Sequence, residues 1–146
     1  MLQLEIITPD RTMFEGEVAS VSLPTATGEI TVLPHHIPLM SIITPGMVTI
    51  REKGKEQVLA VSRGVVEVDG KTIRVLVDTA DRAEELEEAA ILKAKEQAEK
   101  LQKEKRGDTE GFAEATAILE RELARLQVAR RRRAPRRSVP MPSSGE

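Results

Sequence analysis

The chain has 146 residues, of which 40% are apolar, with a net charge of −2 and no Cys, Trp or Tyr. That length carries one domain with its own core, or a small domain plus an appendage. The lack of cysteine excludes disulfides, thiolate metal sites and cysteine nucleophiles together, and two aromatic residues, Phe14 and Phe112, are poor equipment for stacking bases, sugars or flat cofactors.

The opening "MLQLEIITPD" lacks the basic flank and long apolar stretch of a signal peptide. No apolar run approaches the roughly 18–20 residues of a membrane span, so a soluble, non-secreted protein is expected. Residues 1–80 read as β. "LQLEIIT" and "EVASVSL" alternate on a two-residue period, while "GMVTIRE" and "EQVLAVS" are short and β-branched, joined around Gly54. In "VVEVDGKTIRVLV" the pair Asp69-Gly70 is a strong hairpin signal, because a tight turn there needs positive φ. Pro9, Pro24, Pro34, Pro38 and Pro45 fall between strand candidates, where a missing N–H does least harm. Short strands with turn signals every 8–12 residues favour a sandwich or barrel over a parallel sheet.

Both histidines lie side by side in "GEITVLPHHIPLM", open to three readings: metal ligands, a catalytic base, or a shaped loop pressed on a partner. Zinc wants three or four ligands, and neighbouring side chains on a strand point to opposite faces. A base needs a nucleophile or acid partner, and no nucleophile elbow or phosphate-cradling glycine motif is present. The loop or partner-contact reading is favoured.

After about Ala80 the period changes. "DRAEELEEAAILKAKEQAEKLQKEK" has neither Pro nor Gly, and Ala83, Leu86, Ala90, Ala94, Ala98 and Leu101 fall at helical steps on one face. "RGDTEG" breaks it, with Asp108 or Thr109 as N-cap. A second helix is expected from about Glu110 to Arg133, with Phe112, Ala115, Leu119, Leu123 and Leu126 inward. Two helices of roughly 23 residues, each about 35 Å long, make an antiparallel hairpin. Its Ala-rich seam buries little area, so it is a candidate for opening. "ARRRRAPRR" carries six arginines within residues 130–137. They suit an acidic protein surface, a nucleic-acid backbone, or a solvated helix end; no aromatic interleaves them, which favours the acidic protein. Residues 134–146 read as a disordered tail rich in Pro and Ser.

The segment "TPDRTMFEGEVASVSLPTATGEITVLPHHIPLMSIITPGMV" strongly resembles the N-terminal region of the ε subunit of F-type ATP synthase. The matching elements are Thr8-Pro9, Phe14, Gly16, Gly28-Glu29, Leu33-Pro34, His36, Pro38-Leu39 and Pro45-Gly46, followed by "SRGVVEV" at 62–68. The resemblance implies a β-sandwich of about ten strands (1–80), a two-helix hairpin (81–133) and a private tail (134–146). It implies no catalytic residue, no cofactor and no metal. It implies a central-stalk subunit that meets the γ subunit and the c ring and couples ATP synthesis to proton or other ion transport. Its place is then peripheral, on the cytoplasmic face of an energy-transducing membrane, by expectation a bacterial cell membrane. Gly28, Glu29, Pro34 and His36 match the family's loop facing the c ring, and His35 stands where the family often has Gly. Arg121 and Arg125 match basic positions of the second helix, and Arg130, Arg131, Arg132 and Arg133 extend that charge. When the helix extends, these would meet acidic loops of the β subunits in the α/β hexamer and oppose ATP hydrolysis. Some members bind ATP through Ile/Leu-Asp-x-x-Arg-Ala; here the segment is Leu86-Glu87-Glu88-Ala89-Ala90-Ile91. Without the guanidinium, phosphate loses a charged donor, so weak or absent ATP binding is expected. The competing reading is a free β-sandwich module whose Arg-rich tail docks nucleic acid.

Overall fold

The alternating segments form ten strands in the computed structural model: β1 (Leu2–Ile7), β2 (Thr12–Val18), β3 (Ser20–Thr25), β4 (Gly28–Val32), β5 (Leu39–Ile43), β6 (Gly46–Glu52), β7 (Lys55–Val61), β8 (Gly64–Val68), β9 (Thr72–Val77) and β10 (Ala80–Arg82). The structure describes residues 1–133, and side chains through residue 131. The tail expected over 134–146 and the side chains of Arg132 and Arg133 lie outside the described residues.

The strands hydrogen-bond in the order β10-β7-β6-β3-β5-β8-β9-β1-β2, with β4 paired to β3 alone. β3 meets β5 at the single pair Thr25–Ile43. There the sheet folds over into two layers, β10-β7-β6-β3-β4 and β5-β8-β9-β1-β2. β1 and β9 run parallel; a parallel pair cannot be closed by a tight turn, and here seven further strands, β2 to β8, lie between the two along the chain. Period-two alternation then sends one side chain in two inward. Leu2, Leu4 and Ile6 of β1, Val48 and Ile50 of β6, and Ile73 and Val75 of β9 are all fully buried in one core. Gly64 is required where β8 meets β9: a Cβ there would stand 1.9 Å from the Leu76 carbonyl oxygen.

The helical region differs in its start and its buried face from the sequence expectation. Asp81 and Arg82 pair with Ala60 and Leu59 of β7 as strand β10, and a 3₁₀ turn (Ala83–Glu85) follows. The first helix, α1, is therefore Glu88–Glu104, shorter than the pattern suggested. Ala83 and Leu86 continue its apolar stripe in sequence, but Ala83 packs with Ala60 on the sheet. Propensity alone does not see the edge of β7 competing for residues 80–82. The second helix, α2, is Thr109–Arg133. Asp108 caps it, its Oδ1 accepting the Gly111 N–H at 3.2 Å.

On α2, Ala115 and Leu126 face inward as expected, but Phe112 is 39% and Leu123 44% exposed, and Glu122, Ala124, Val128 and Ala129 are buried instead. A single hydrophobic stripe assumes one neighbour, whereas α2 has two, α1 on one side and β6 and β7 on another. Leu126 and Ala129 pack with Ile91 of α1, and Val128 packs with Ala60. The hairpin lies folded against the outer face of the first layer.

Candidate interaction surfaces

Leu33-Pro34-His35-His36 closes a turn, with the His36 N–H donating to the Leu33 carbonyl at 3.1 Å. Pro34 fixes the φ of the first central position. His35 holds the second at φ +68°, a left-handed conformation that such a turn ordinarily gives to Gly or Asn. His36 is set by another contact: its Nδ1 lies 2.8 Å from the Ile37 carbonyl oxygen. A carbonyl only accepts, so Nδ1 donates. Among the described residues no group of three or more His, Cys, Asp or Glu is placed to hold a metal. The turn instead displays apolar tips, with Leu33 56% and Ile37 75% exposed.

The four residues matched to one loop are split. Gly28 (φ +117°) opens β4, Glu29 is on that strand opposite Pro24, and Pro34 and His36 lie beyond its end. At about 3.3 Å per residue, Glu29 stands roughly 10 Å along the strand from Val32. β4 is an edge strand, so both of its ends are on the rim. The β8–β9 turn stands beside the second end, where a Cβ on Gly70 would come 3.8 Å from the His36 carbonyl oxygen. In that turn Asp69 Oδ1 accepts the N–H groups of Thr72 at 2.7 Å and Lys71 at 3.1 Å. Those donors, Thr72 first, hold its carboxyl below the usual value of 3.8.

Sequence reasoning missed an apolar row on the second layer. In the second layer Ile42 pairs with Val65, Val65 with Leu76, and Leu76 with Ile7. All four belong to the outward set, giving an in-register apolar row across four strands. Ile42 is 62%, Leu76 47% and Val65 38% exposed, and Met40, two residues before Ile42, is 69% exposed. The signal was present: β5, β8 and β9 each carry neighbouring apolar residues, so both faces of these strands are apolar at one end. The row beside it is polar, where Glu67 pairs with Arg74 and Arg74 Nε reaches Glu5 Oε1 at 3.2 Å. Among the described residues, one outer face is thus covered by the hairpin and the other is bare.

The described arginines of α2, Arg121, Arg125, Arg130 and Arg131, are engaged. Arg125 Nε reaches Asp81 Oδ2 at 2.8 Å and its Nη1 reaches Glu122 Oε2 at 3.0 Å. Arg121 Nε reaches the same Glu122 oxygen at 3.1 Å, Arg130 pairs with Glu88 at 3.2 Å, and Arg131 pairs with Glu56 at 3.0 Å. Between α1 and α2 runs a groove of about 520 Å³ whose walls include Asp81, Glu85, Glu87, Glu122, Arg121 and Arg125. It contains the segment compared with the nucleotide motif, with four carboxylates against two guanidinium groups.

Known proteins agree with this architecture. Residues 1–83 match the family described as ATP synthase, Delta/Epsilon chain, beta-sandwich domain. The chain is 39% identical over 132 residues to the ATP synthase epsilon chain of Herpetosiphon aurantiacus, covering 90% of this chain and 96% of that one. It is 44% identical over 107 residues to the ATP synthase epsilon chain of Dichelobacter nodosus, covering 73% and 75%. Its fold is similar to a chain in the Euglena gracilis mitochondrial ATP synthase OSCP/F1/c-ring structure, with a TM-score of 0.74 and 23% identity over 88% of this chain and 80% of that one. A two-layer β domain followed by a helical pair is the architecture expected of the Delta/Epsilon-chain β-sandwich class. The chain belongs to the ATP synthase epsilon-chain family, whose members are non-catalytic parts of the synthase.

Proposed function

We propose that this chain is the rotor subunit that fixes the γ subunit to the c ring, and that its hairpin restrains ATP hydrolysis. The single observation that carries the docking role is the bare in-register row Ile7, Leu76, Val65 and Ile42. Full burial of one such side chain contributes about 1.5–3 kcal/mol, so an exposed row of this kind calls for a partner. The γ subunit is that partner. The turn at Leu33–His36, just beyond β4, and Glu29, near that strand's other end, offer two stretches of rim toward the c ring, and Ile37 beside the turn is the most exposed apolar tip there. Through the c ring the chain is peripheral to the membrane, on its cytoplasmic side in a bacterial cell. The test is co-purification: γ and this chain are expected at one copy each, and failure to associate would remove the docking role.

For the brake, Arg121, Arg125 and Arg130–Arg133 are the contacts offered to the acidic loops of the β subunits when the hairpin extends. Moving a two-state element from mostly closed to mostly open takes about 5.5 kcal/mol of differential binding. Exposed ion pairs of about 0–1 kcal/mol each supply part, and burial of α2 between subunits supplies the remainder. Residues 80–82 are strand, so the informative truncation starts at Glu88. Deleting 88–146 is expected to raise the ATPase rate of the assembled complex severalfold with γ still bound. An unchanged rate would remove the brake and leave the coupling role standing.

A further inference from the structure

We propose that Asp81, Arg125 and Glu122 form a latch that sets how much of the hairpin is docked on the sandwich, with Arg125 as its shared centre. The apolar contact between hairpin and sheet is small. Its buried members are Ala60, Ala83 and Val128, separate from the main core, with Met47, Val58 and Leu86 half-buried around them. Only one of the three buried side chains is larger than a methyl group, so burial alone holds α2 weakly.

Three ion pairs join α2 to the sandwich, among the described residues. The side chains of Arg63–Glu120 are 65% and 35% exposed, and those of Arg131–Glu56 are 46% and 21% exposed. In Arg125–Asp81 the figures are 23% and 28%. Water screens it least on the arginine side, so its contribution is the least diluted. Asp81 is fixed by the backbone pairing of β10 to β7, a rigid mount.

Glu122 prepares the other half. Its side chain is 3% exposed and takes both Arg121 and Arg125. The contact to Arg125 lies within α2, so the guanidinium is already oriented before docking, leaving Nε free for Asp81. A planar fork serving two carboxylates at once cannot be reproduced by a point charge. Undocking α2 breaks the Asp81 contact and opens the buried carboxylate to water in the same movement, which couples the two contacts. The latch concerns the isolated chain and stands whether or not the hairpin brakes ATP hydrolysis.

The test uses the full chain, which has no native cysteine, with spin labels at Lys53→Cys and Gln127→Cys. Both positions are exposed, one in the β6–β7 turn and one on α2. The undocked fraction is read from the distance distribution in wild type, Asp81→Asn, Arg125→Gln and the double variant. Each single change is expected to raise the undocked ratio about tenfold, and the double variant no further than either. Arg63→Gln, which breaks the more exposed pair, is expected to shift it less than twofold. Additive single effects, no shift with Asp81→Asn, or an equal shift with Arg63→Gln would overturn the latch. Should Arg125→Gln fail to fold, Arg125→Lys takes its place in the cycle, with a severalfold rise in undocking expected.

Discussion

His35 is the one non-glycine residue with positive φ among those described, and its position explains why a glycine suits that place. A left-handed L-residue costs roughly 1–2 kcal/mol, most of all when β-branched. His35→Val is accordingly expected to melt below His35→Gly by a margin of that order; equal midpoints in paired thermal melts would mean the turn relaxes. Asp69 gives a pH-dependent case. Its folded-state pKa lies below 3.8 because two backbone N–H groups favour the carboxylate. A lowered folded pKa means that its stabilisation is present above the unfolded pKa and is lost as pH falls through the folded one. The melting difference between wild type and Asp69→Ala is therefore expected in full at pH 6 and should shrink below pH 3.8. A difference independent of pH would mean that the charge is not what the turn uses. Both residues were visible in sequence as turn-formers; the handedness of His35 was not, because φ is imposed by closing Leu33 onto His36.

At the scale of elements, strands were legible because alternation is a local property, and boundaries were not where two partners competed. Residues 80–82 have helix-like composition yet complete β7's edge. α2 shows the same limit. A single stripe assumes one neighbour, and contact with both α1 and the sheet turns the buried arc toward Glu122 and Val128. The groove between the helices carries a prediction at this scale. Its carboxylates Asp81, Glu85, Glu87 and Glu122 outnumber Arg121 and Arg125, and both arginines already hold carboxylates. A polyphosphate entering there would displace paired ions and meet like charge. Calorimetric titration with Mg-ATP to millimolar concentration is expected to give no saturable heat; a saturable one in that range would show that the pairs yield to phosphate.

At the largest scale the decisive asymmetry is between two outer faces, one under the hairpin and one bare among the described residues. Ile42→Glu with Leu76→Glu is expected to weaken association with γ at least tenfold, about 1.4 kcal/mol. Both side chains already meet solvent, and such surface changes cost about 0.5 kcal/mol or less each. The isolated variant should therefore melt within about 4 °C of wild type. Undiminished association would place the γ contact elsewhere. The amino-acid sequence by itself determined the division into a β half and a helical half, the turn positions, and the lack of thiol chemistry, because periodicity, φ preference and composition act over a few residues. It also carried the family, through a run of matching turn residues and prolines. Tertiary structure alone decided that Ile42, Val65, Leu76 and Ile7 lie in one row, that Glu29 and His36 belong to different parts of an edge, and that Arg125 spans Asp81 and Glu122. Those facts depend on strand register and on which helix face meets the sheet, and both are set by partners up to 75 positions away along the chain, as Glu56 and Arg131 are.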